Sequence, residues 1–301
     1  MTSIKTTTDL NGTSHAPAPA PTTQDSPSIY TTVQNGYSRI ASQPHSTAYS
    51  TTIASAFGYS EAELTDVPAE SNLGLSCGNP LALASIRVGE TVVDLGSGAG
   101  FDVFQAAKMV GPERKGGGRG GFIKEKIGAK NTEFVESPIT KIDLPGGMAD
   151  CVISNCVINL VPTGEKQLVF DEMYRLLRSK GRVAISDILL RKNLPEELRG
   201  SMALYVGCIA GASKVEEYQR YLSQAGFRDV LIVPDQSDLN VYKTASKDDP
   251  GASKETGCCG SGCGGNVSLS GDEKSVVEDA KWADVDFNEW AGSYKVYAVK
   301  P

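Results

Sequence analysis

Hydrophobic and polar positions follow two alternating periodicities along the middle of the chain, from residue 89 to residue 190. The short apolar, β-branched runs ETVVDLG, ADCVISNCVINL and RVAISDILL are typical of buried parallel strands. The segments FDVFQAAKMVG and EKQLVFDEMYRLLRSKG have apolar residues at helical spacing, and we expect these helices to end at Gly111 and Gly181. Strands and helices that alternate in this way, separated by glycine turns, predict an α/β fold with a doubly wound sheet.

The regions on either side of this core have different compositions. Residues 1 to 28 are rich in Thr, Ser, Pro and Ala, so we expect a disordered tail that cannot bury enough apolar surface to offset its ordering entropy. Residues 29 to 88 are predicted to form a helical N-terminal segment. In the C-terminal extension, residues 191 to 301, KVEEYQRYLSQAGF predicts an amphipathic helix and DVLIVP a strand. A glycine-rich mobile loop over 244 to 275 and a closing edge strand in WAGSYKVYAVKP complete the prediction.

The charge and composition of the chain limit the classes of partner that it can be expected to bind. The 301 residues have a net charge of −7 and a pI of about 5.1, which argues against nucleic acid or an anionic membrane as partner. No apolar run approaches the ~20 residues of a membrane span, and the first 28 residues lack the apolar centre of a signal peptide. We expect a cytoplasmic protein, acting as a monomer, whose seven cysteines stay mostly reduced.

The motif DLGSGAGFD follows the first predicted strand and opens the first helix of the core. Its glycines permit a tight turn and a close approach of a ligand, and the free N–H groups of the helix start suit an anionic group. The motif resembles the first motif of S-adenosylmethionine methyltransferases; the alternative is a purely structural turn. That resemblance implies a Rossmann-type class I fold in which the motif binds the methionine part of S-adenosylmethionine. The implied cofactor-binding residues are Asp94, Gly96, Ser97, Gly98, Gly100 and Asp102.

Three cysteines lie at loop or strand-end positions of the predicted fold. Cys77 precedes the core, Cys156 lies near the carboxyl end of an interior strand, where ligands bind in open sheets, and Cys208 follows RVAISDILL. Three thiolates suit soft, thiophilic trivalent arsenic, although a single cysteine is more often a small buried hydrophobe. Cys151 lies an odd number of residues before Cys156, so we expect it on the other face of the strand, in the core.

The segments around these cysteines resemble arsenite methyltransferases, the fungal type in particular. SNLGLSCGNP, VVDLGSGAGFD, ISNCVINLVP, ISDILL, LPEELR and GCIAGA carry the resemblance, which runs from about Tyr30 to the end of the chain. It implies arsenite detoxification by methyl transfer from S-adenosylmethionine to arsenic(III) held by Cys77, Cys156 and Cys208. It also implies a thiol reductant of thioredoxin or glutathione type, and further cofactor contacts by Ile139, Thr140 and Asn155.

The chain departs from this resemblance in two places. Family members often have a fourth, N-terminal cysteine, whereas residues 1 to 76 contain none. In this fold the second strand ends in a carboxylate that binds the ribose, whereas ERKGGGRGGFIKEK has five glycines and no carboxylate between Glu113 and Glu125. We therefore expect the second strand to be missing near 113–121, as after an internal deletion. Cofactor binding should then be weak unless another residue, first of all Glu113 or Glu125, binds the ribose.

Three further cysteines, Cys258, Cys259 and Cys263, lie in the glycine-rich segment GCCGSGCGG. They form either a second arsenite site that supplies the reactive one or a redox-labile loop. Two other functions remain open for the whole chain. One is a small-molecule methyltransferase acting on oxygen, nitrogen or carbon, which would need a general base but not three cysteines. The other is an arsenite-binding protein that lost catalysis together with its cofactor site.

Overall fold

A twisted, mostly parallel sheet lies at the centre of the protein. This computed structural model describes residues 26–42, 46–111, 116–117, 131–199, 208–243 and 284–301. In that part of the chain the strands are β1 Val92–Leu95, β2 Gly116–Gly117, β3 Thr132–Glu133, β4 Ala149–Asn155, β5 Leu177–Leu190, β6 Arg228–Pro234 and β7 Ala291–Val299. Their order across the sheet is β3-β2-β1-β4-β5-β7-β6, with β7 antiparallel to both of its neighbours.

Helices cover the sheet and connect its strands. They are α1 Ser26–Ser42, α2 Thr47–Ala56, α3 Glu61–Thr65, α4 Leu81–Ala84, α5 Phe101–Val110, α6 Lys166–Leu176, α7 Glu196–Arg199 and α8 Val215–Ala225. Short 3₁₀ turns span Ala69–Ser71, Ile158–Leu160, Thr163–Glu165 and Phe287–Glu289. Helix α1 begins at Ser26, so its first three residues lie within the predicted disordered tail. No helix in the described ranges has the length and apolar character that crossing a membrane requires.

The core lies on both faces of β4 and β5. Val152 and Ile185 pack on one face with Phe170 and Met173 of α6. Cys151 is fully buried in a second cluster on the opposite face. Because consecutive strand residues alternate between faces, this arrangement confirms the prediction that Cys151 belongs to the core.

Two of the predicted elements differ from the structure in their ends or neighbours. Helix α6 ends at Leu176 and not at Gly181, because Leu177 is fully buried and pairs with Ala149 at the start of β5. Strand β7, predicted to be the closing edge strand, pairs with β5 on one side and β6 on the other. The edge of the sheet on this side is β6, whose exposed Leu231 fits that position. The predicted helices after the glycine motif and near residue 220 are confirmed as α5 and α8.

A two-residue strand, β2, lies where the sequence predicted a missing strand. Gly117 pairs with Val93 of β1, and the glycine pair lies parallel to β3. The expectation of no strand is therefore wrong at these two residues, because the backbone groups along β1 pair with an extended chain whatever its side chains. The glycines bring no carboxylate to the site. Residues 112–115 and 118–130, with Glu113 and Glu125, lie outside the described part of the chain.

Candidate active site

Three buried cysteines meet beyond the carboxyl end of β4. The Sγ atoms of Cys77, Cys156 and Cys208 all lie within 4.8 Å of one another. Cys77 and Cys156 are joined as a disulfide in this structure, with Cα atoms 5.4 Å apart, although 79 residues separate them in the chain. Reduction of this disulfide makes both available as thiols. The thiol of Cys208 donates a hydrogen bond of 2.9 Å to the carbonyl of Cys156. Folding therefore brings together the three cysteines that the sequence analysis selected.

Two of these cysteines have left-handed backbone conformations. The φ angle is 58° at Cys156 and 64° at Cys208, in a region that residues other than glycine rarely adopt. Cys156 directly follows β4, and its N–H still donates to the carbonyl of Ser186 in β5, at 3.0 Å. Such conformations persist only where the surrounding structure enforces them, and they are concentrated at functional sites.

The thiols lie in an apolar, aromatic environment that excludes water. Cys77, Cys156 and Cys208 are 0%, 4% and 1% exposed and pack in one cluster with Phe57. The hydroxyl of Tyr242 donates to the carbonyl of Ser76 at 2.7 Å and lies 3.8 Å from Cys77 Sγ. Burial raises the pKa of the Cys208 thiol well above its ordinary value, and the charge of Asp187 adds to the shift while Lys166 opposes it. A soft, uncharged ligand suits this environment better than a hydrated ion.

The side chain of Asn155 connects the thiols to the start of α5. Its Oδ1 accepts a hydrogen bond of 3.1 Å from the N–H of Cys77. Its Nδ2 donates to Asp102 Oδ2 at 3.1 Å, to the Tyr59 hydroxyl at 3.0 Å and to the carbonyl of Gly78 at 3.0 Å. The hydroxyl of Tyr59 in turn donates to Asp102 Oδ1 at 2.6 Å. The polar atoms of Asn155 are therefore bound by the protein itself.

A cavity of about 360 Å³ lies at the glycine motif, and Val157, the neighbour of Cys156, forms part of its wall. Its volume falls in the range of small-molecule sites. Gly96, with φ of 68°, passes so close to Val157 that a β-carbon would lie 2.6 Å from its side chain. Gly98, with φ of 51°, has no atom within 4 Å of a β-carbon position, so the space beside it is open. The loop thus turns tightly and leaves room for a ligand.

Comparisons with known proteins agree with this geometry. Residues 86–226 match a family described as a methyltransferase domain. The arsenite methyltransferase of Halobacterium salinarum is 42% identical over 186 residues, which are 59% of this chain and 47% of that protein. Over these residues the chain is similar to an arsenite methyltransferase. A second such enzyme, from Aquipseudomonas alcaligenes, is 32% identical over 176 residues, 53% of this chain and 50% of that protein.

The methyltransferase domain also has structural neighbours. Phosphoethanolamine N-methyltransferase 2 of Haemonchus contortus superposes with a TM-score of 0.50 and 17% identity, over 84% of this chain and 57% of that chain. At that identity the likeness concerns the fold alone, and it confirms the predicted α/β, Rossmann-type methyltransferase architecture. The chain spans about half the length of the curated relatives it matches.

The predicted cofactor residues fall into two groups in the methyltransferase domain. Those that line the cavity are Asp94, Gly96, Ser97, Gly98 and Ile139. Those outside its lining are Gly100, Asp102, Thr140 and Asn155. Gly100 starts α5, and a β-carbon there would lie 2.8 Å from Phe104, so this glycine serves helix packing. Asp102 and Asn155 bind each other. Direct contact between this second group and a cofactor stays a prediction, as does arsenic binding by Cys258, Cys259 and Cys263, which lie outside the described residues.

Sequence reasoning missed a buried polar network behind Cys208. Lys166 is 1% exposed, and its ammonium group donates to the carbonyl of Gly211 and, at 3.0 Å, to the hydroxyl of Ser213. Asp187, which is fully buried, accepts a hydrogen bond of 2.6 Å from the hydroxyl of Tyr218. Burial lowers the pKa of Lys166 to about 8 and raises that of Asp187 to about 6. A lysine at the start of a helix is ordinarily exposed, so no sequence signal pointed to it.

Two side chains of the cavity wall were also missed. Tyr37 of α1 lines the cavity, and its pKa is raised by burial and then by the nearby charges of Cys208 and Asp187. It therefore lies between the cavity and the thiols. Glu136, three residues beyond β3, contributes a carboxylate to the same cavity. Both residues lie in segments without a motif, so only the tertiary structure identifies them.

Proposed function

We propose that this chain transfers the methyl group of S-adenosylmethionine to trivalent arsenic bound by Cys77, Cys156 and Cys208. The observation that carries the proposal is the convergence of three buried Sγ atoms within 4.8 Å of one another. Three thiolates match the softness of arsenic(III) and leave its lone pair free as a nucleophile. The curated relatives, named arsenite methyltransferases, support the same substrate.

The residues of the cavity fit S-adenosylmethionine. The turn at Ser97 and Gly98 leads into α5, whose free N–H groups suit the carboxylate of the methionine part. Ile139 and Leu144 offer an apolar wall for the adenine. When bound, S-adenosylmethionine supplies an electrophilic methyl group on a positively charged sulfonium.

The protein contributes ligation, orientation and exclusion of water. The three thiols replace the hydroxyl groups of arsenite and release water, so arsenic is held in the apolar cluster that surrounds Cys77, Cys156 and Cys208. Asn155 fixes Cys77 relative to α5, and Tyr37 forms part of the cavity wall near the arsenic site. A fixed, dehydrated arrangement lowers the entropic cost of the transfer. No general base is needed, because the arsenic lone pair forms the new bond.

Each methyl transfer formally oxidises arsenic by two electrons. We propose that a thioredoxin- or glutathione-type thiol supplies these electrons and becomes a disulfide. The chain would act as a cytoplasmic monomer in arsenite detoxification. The location is supported by the need to keep the three thiols reduced.

The test is consumption of S-adenosylmethionine by the full chain with a thiol reductant, with and without arsenite. We expect arsenite-dependent formation of S-adenosylhomocysteine and of methylated arsenic. Cys156→Ser should abolish both products, whereas Cys151→Ser, which alters the opposite face of β4, should retain them. Arsenite-independent turnover would favour a small-molecule methyltransferase. Arsenite binding without turnover would favour an arsenite-binding protein.

A further inference from the structure

Among the described residues, no carboxylate from the second strand lines the cavity, although such a carboxylate usually binds the ribose in a doubly wound fold. That carboxylate ends the second strand of the sheet, roughly 20 residues beyond the glycine motif. Here the second strand is the glycine pair Gly116–Gly117, which has no side chain to offer. An adenosine-containing ligand would therefore meet no acidic group from β2 itself.

A carboxylate from the neighbouring strand lines the cavity instead. Glu136 lies three residues beyond β3, the strand that pairs with β2. Its side chain is exposed toward the open space, and no hydrogen bond or ion pair engages it among the described residues. Ser137, the adjacent polar residue of the wall, already accepts a hydrogen bond of 3.2 Å from the N–H of Asp143. The Glu136 carboxylate can therefore accept hydrogen bonds from a ligand in the cavity.

We propose that Glu136 binds the ribose hydroxyls of S-adenosylmethionine in place of the missing β2 carboxylate. The proposal rests on the proposed function, since it presumes this cofactor. A carboxylate can accept one hydrogen bond from each hydroxyl of a vicinal diol, and such charge-assisted bonds are among the stronger ones in proteins. Asp94, the other carboxylate that lines the cavity, lies on β1 at the start of the glycine motif. It is assigned to the methionine part of S-adenosylmethionine. This proposal differs from the sequence-based expectation that Glu113 or Glu125 binds the ribose.

The test is calorimetric titration of S-adenosylhomocysteine into the full chain and into matched variants. Glu136→Gln should weaken binding about ten- to a hundredfold, the loss of one or two charge-assisted hydrogen bonds. Glu133→Gln is the control, because Glu133 is an exposed carboxylate on β3 that does not line the cavity. It should bind like the wild type. Unfolding temperatures of both variants should match that of the wild type, since both side chains are exposed.

A second ligand identifies the group that Glu136 contacts. The wild type should bind the 2′-deoxy analogue of S-adenosylhomocysteine more weakly than it binds S-adenosylhomocysteine itself. The Glu136→Gln variant should bind the two compounds equally well. If Glu136→Gln binds S-adenosylhomocysteine like the wild type, or stays sensitive to the 2′-hydroxyl, the proposal is wrong. Parallel titration of Glu113→Gln and Glu125→Gln would then show whether either binds the ribose. A wild-type chain that binds no S-adenosylhomocysteine would overturn the cofactor assignment itself.

Discussion

The N–H of Cys77 donates a hydrogen bond of 3.1 Å to the side-chain oxygen of Asn155, 78 positions later in the chain. The amide nitrogen of the same side chain donates to Asp102 in the first turn of α5. One side chain therefore sets the position of a thiol relative to the helix that follows the glycine motif. Asn155 therefore has the geometry of a positioning residue, while its direct contact with a cofactor stays a prediction.

Removing the Asn155 side chain should affect both parts of the site. Asn155→Ala leaves the N–H of Cys77 and the carboxylate of Asp102 without this partner, which should lower the free energy of unfolding by at least about 2 kcal/mol. Affinity for arsenite should fall as well. Urea unfolding and arsenite titration measure the two effects. Asn131→Ala is a matched control, because Asn131 bonds to the carbonyls of Ala107 and Gly111 at the other end of α5. It should lose stability without losing arsenite affinity.

Each of the three converging thiols should be needed for arsenite binding. Changing Cys77, Cys156 or Cys208 to serine should weaken binding at least about tenfold, because a hydroxyl is a hard, poorly ionised ligand. Titration of arsenite followed by the decrease in free thiols measures the effect. Cys151→Ser should bind like the wild type, since Cys151 packs in a different cluster. Wild-type affinity in any of the three serine variants would place the arsenic elsewhere.

Oxidation should close the arsenite site reversibly. The Cα atoms of Cys77 and Cys156 are 5.4 Å apart, well inside the range that disulfides span. Treatment with oxidised glutathione should pair these thiols and abolish arsenite binding, and dithiothreitol should restore it. Peptide mapping under non-reducing conditions would identify the pair. Undiminished arsenite binding by a protein with this disulfide would place the arsenic elsewhere, with Cys258, Cys259 and Cys263 as the other candidate ligands.

Lys166 should support the turn that carries Cys208. Lys166→Met removes the donor to Gly211 and Ser213, and the buried carbonyl left behind should cost about 1 to 3 kcal/mol of stability. The turn at Cys208 should loosen, so arsenite affinity should fall. Lys192→Met, in contrast, removes an exposed ion pair with Glu289 and a contact over the Trp290 ring. It should cost less stability than the loss of the buried donor and leave arsenite affinity unchanged. Equal effects of the two substitutions in unfolding and titration experiments would contradict this role.

Stability should depend on pH through Asp102. Burial raises the pKa of Asp102 to about 6, although hydrogen bonds from Tyr59 and Asn155 oppose the shift. The folded state then binds the proton on Asp102 more tightly than the unfolded state does. The contribution of Asp102 to the free energy of unfolding should therefore fall as pH rises from about 4 to about 6. Asp102→Asn should flatten that slope in urea unfolding. Asp66→Asn, an exposed substitution, should leave it unchanged.

The sequence by itself determined the elements whose signals are local. The apolar run before DLGSGAG predicted β1, and the spacing of apolar residues predicted α5, α6 and α8. These predictions succeed because periodicity and turn residues act within a few positions of each other. The end of α6 was mispredicted at Gly181, because the pairing of Leu177 with Ala149, a contact between distant residues, decides where the helix stops.

Only the tertiary structure decided how the site is assembled. The sequence motifs selected Cys77, Cys156 and Cys208 together, but their convergence depends on three separate segments that meet beyond β4. No local pattern distinguishes Lys166, buried behind Cys208, from a surface lysine, or Glu136 in the cavity wall from a loop glutamate. Burial and cavity lining arise from packing between elements far apart in the chain, so the chemistry of these two residues depends on the folded protein.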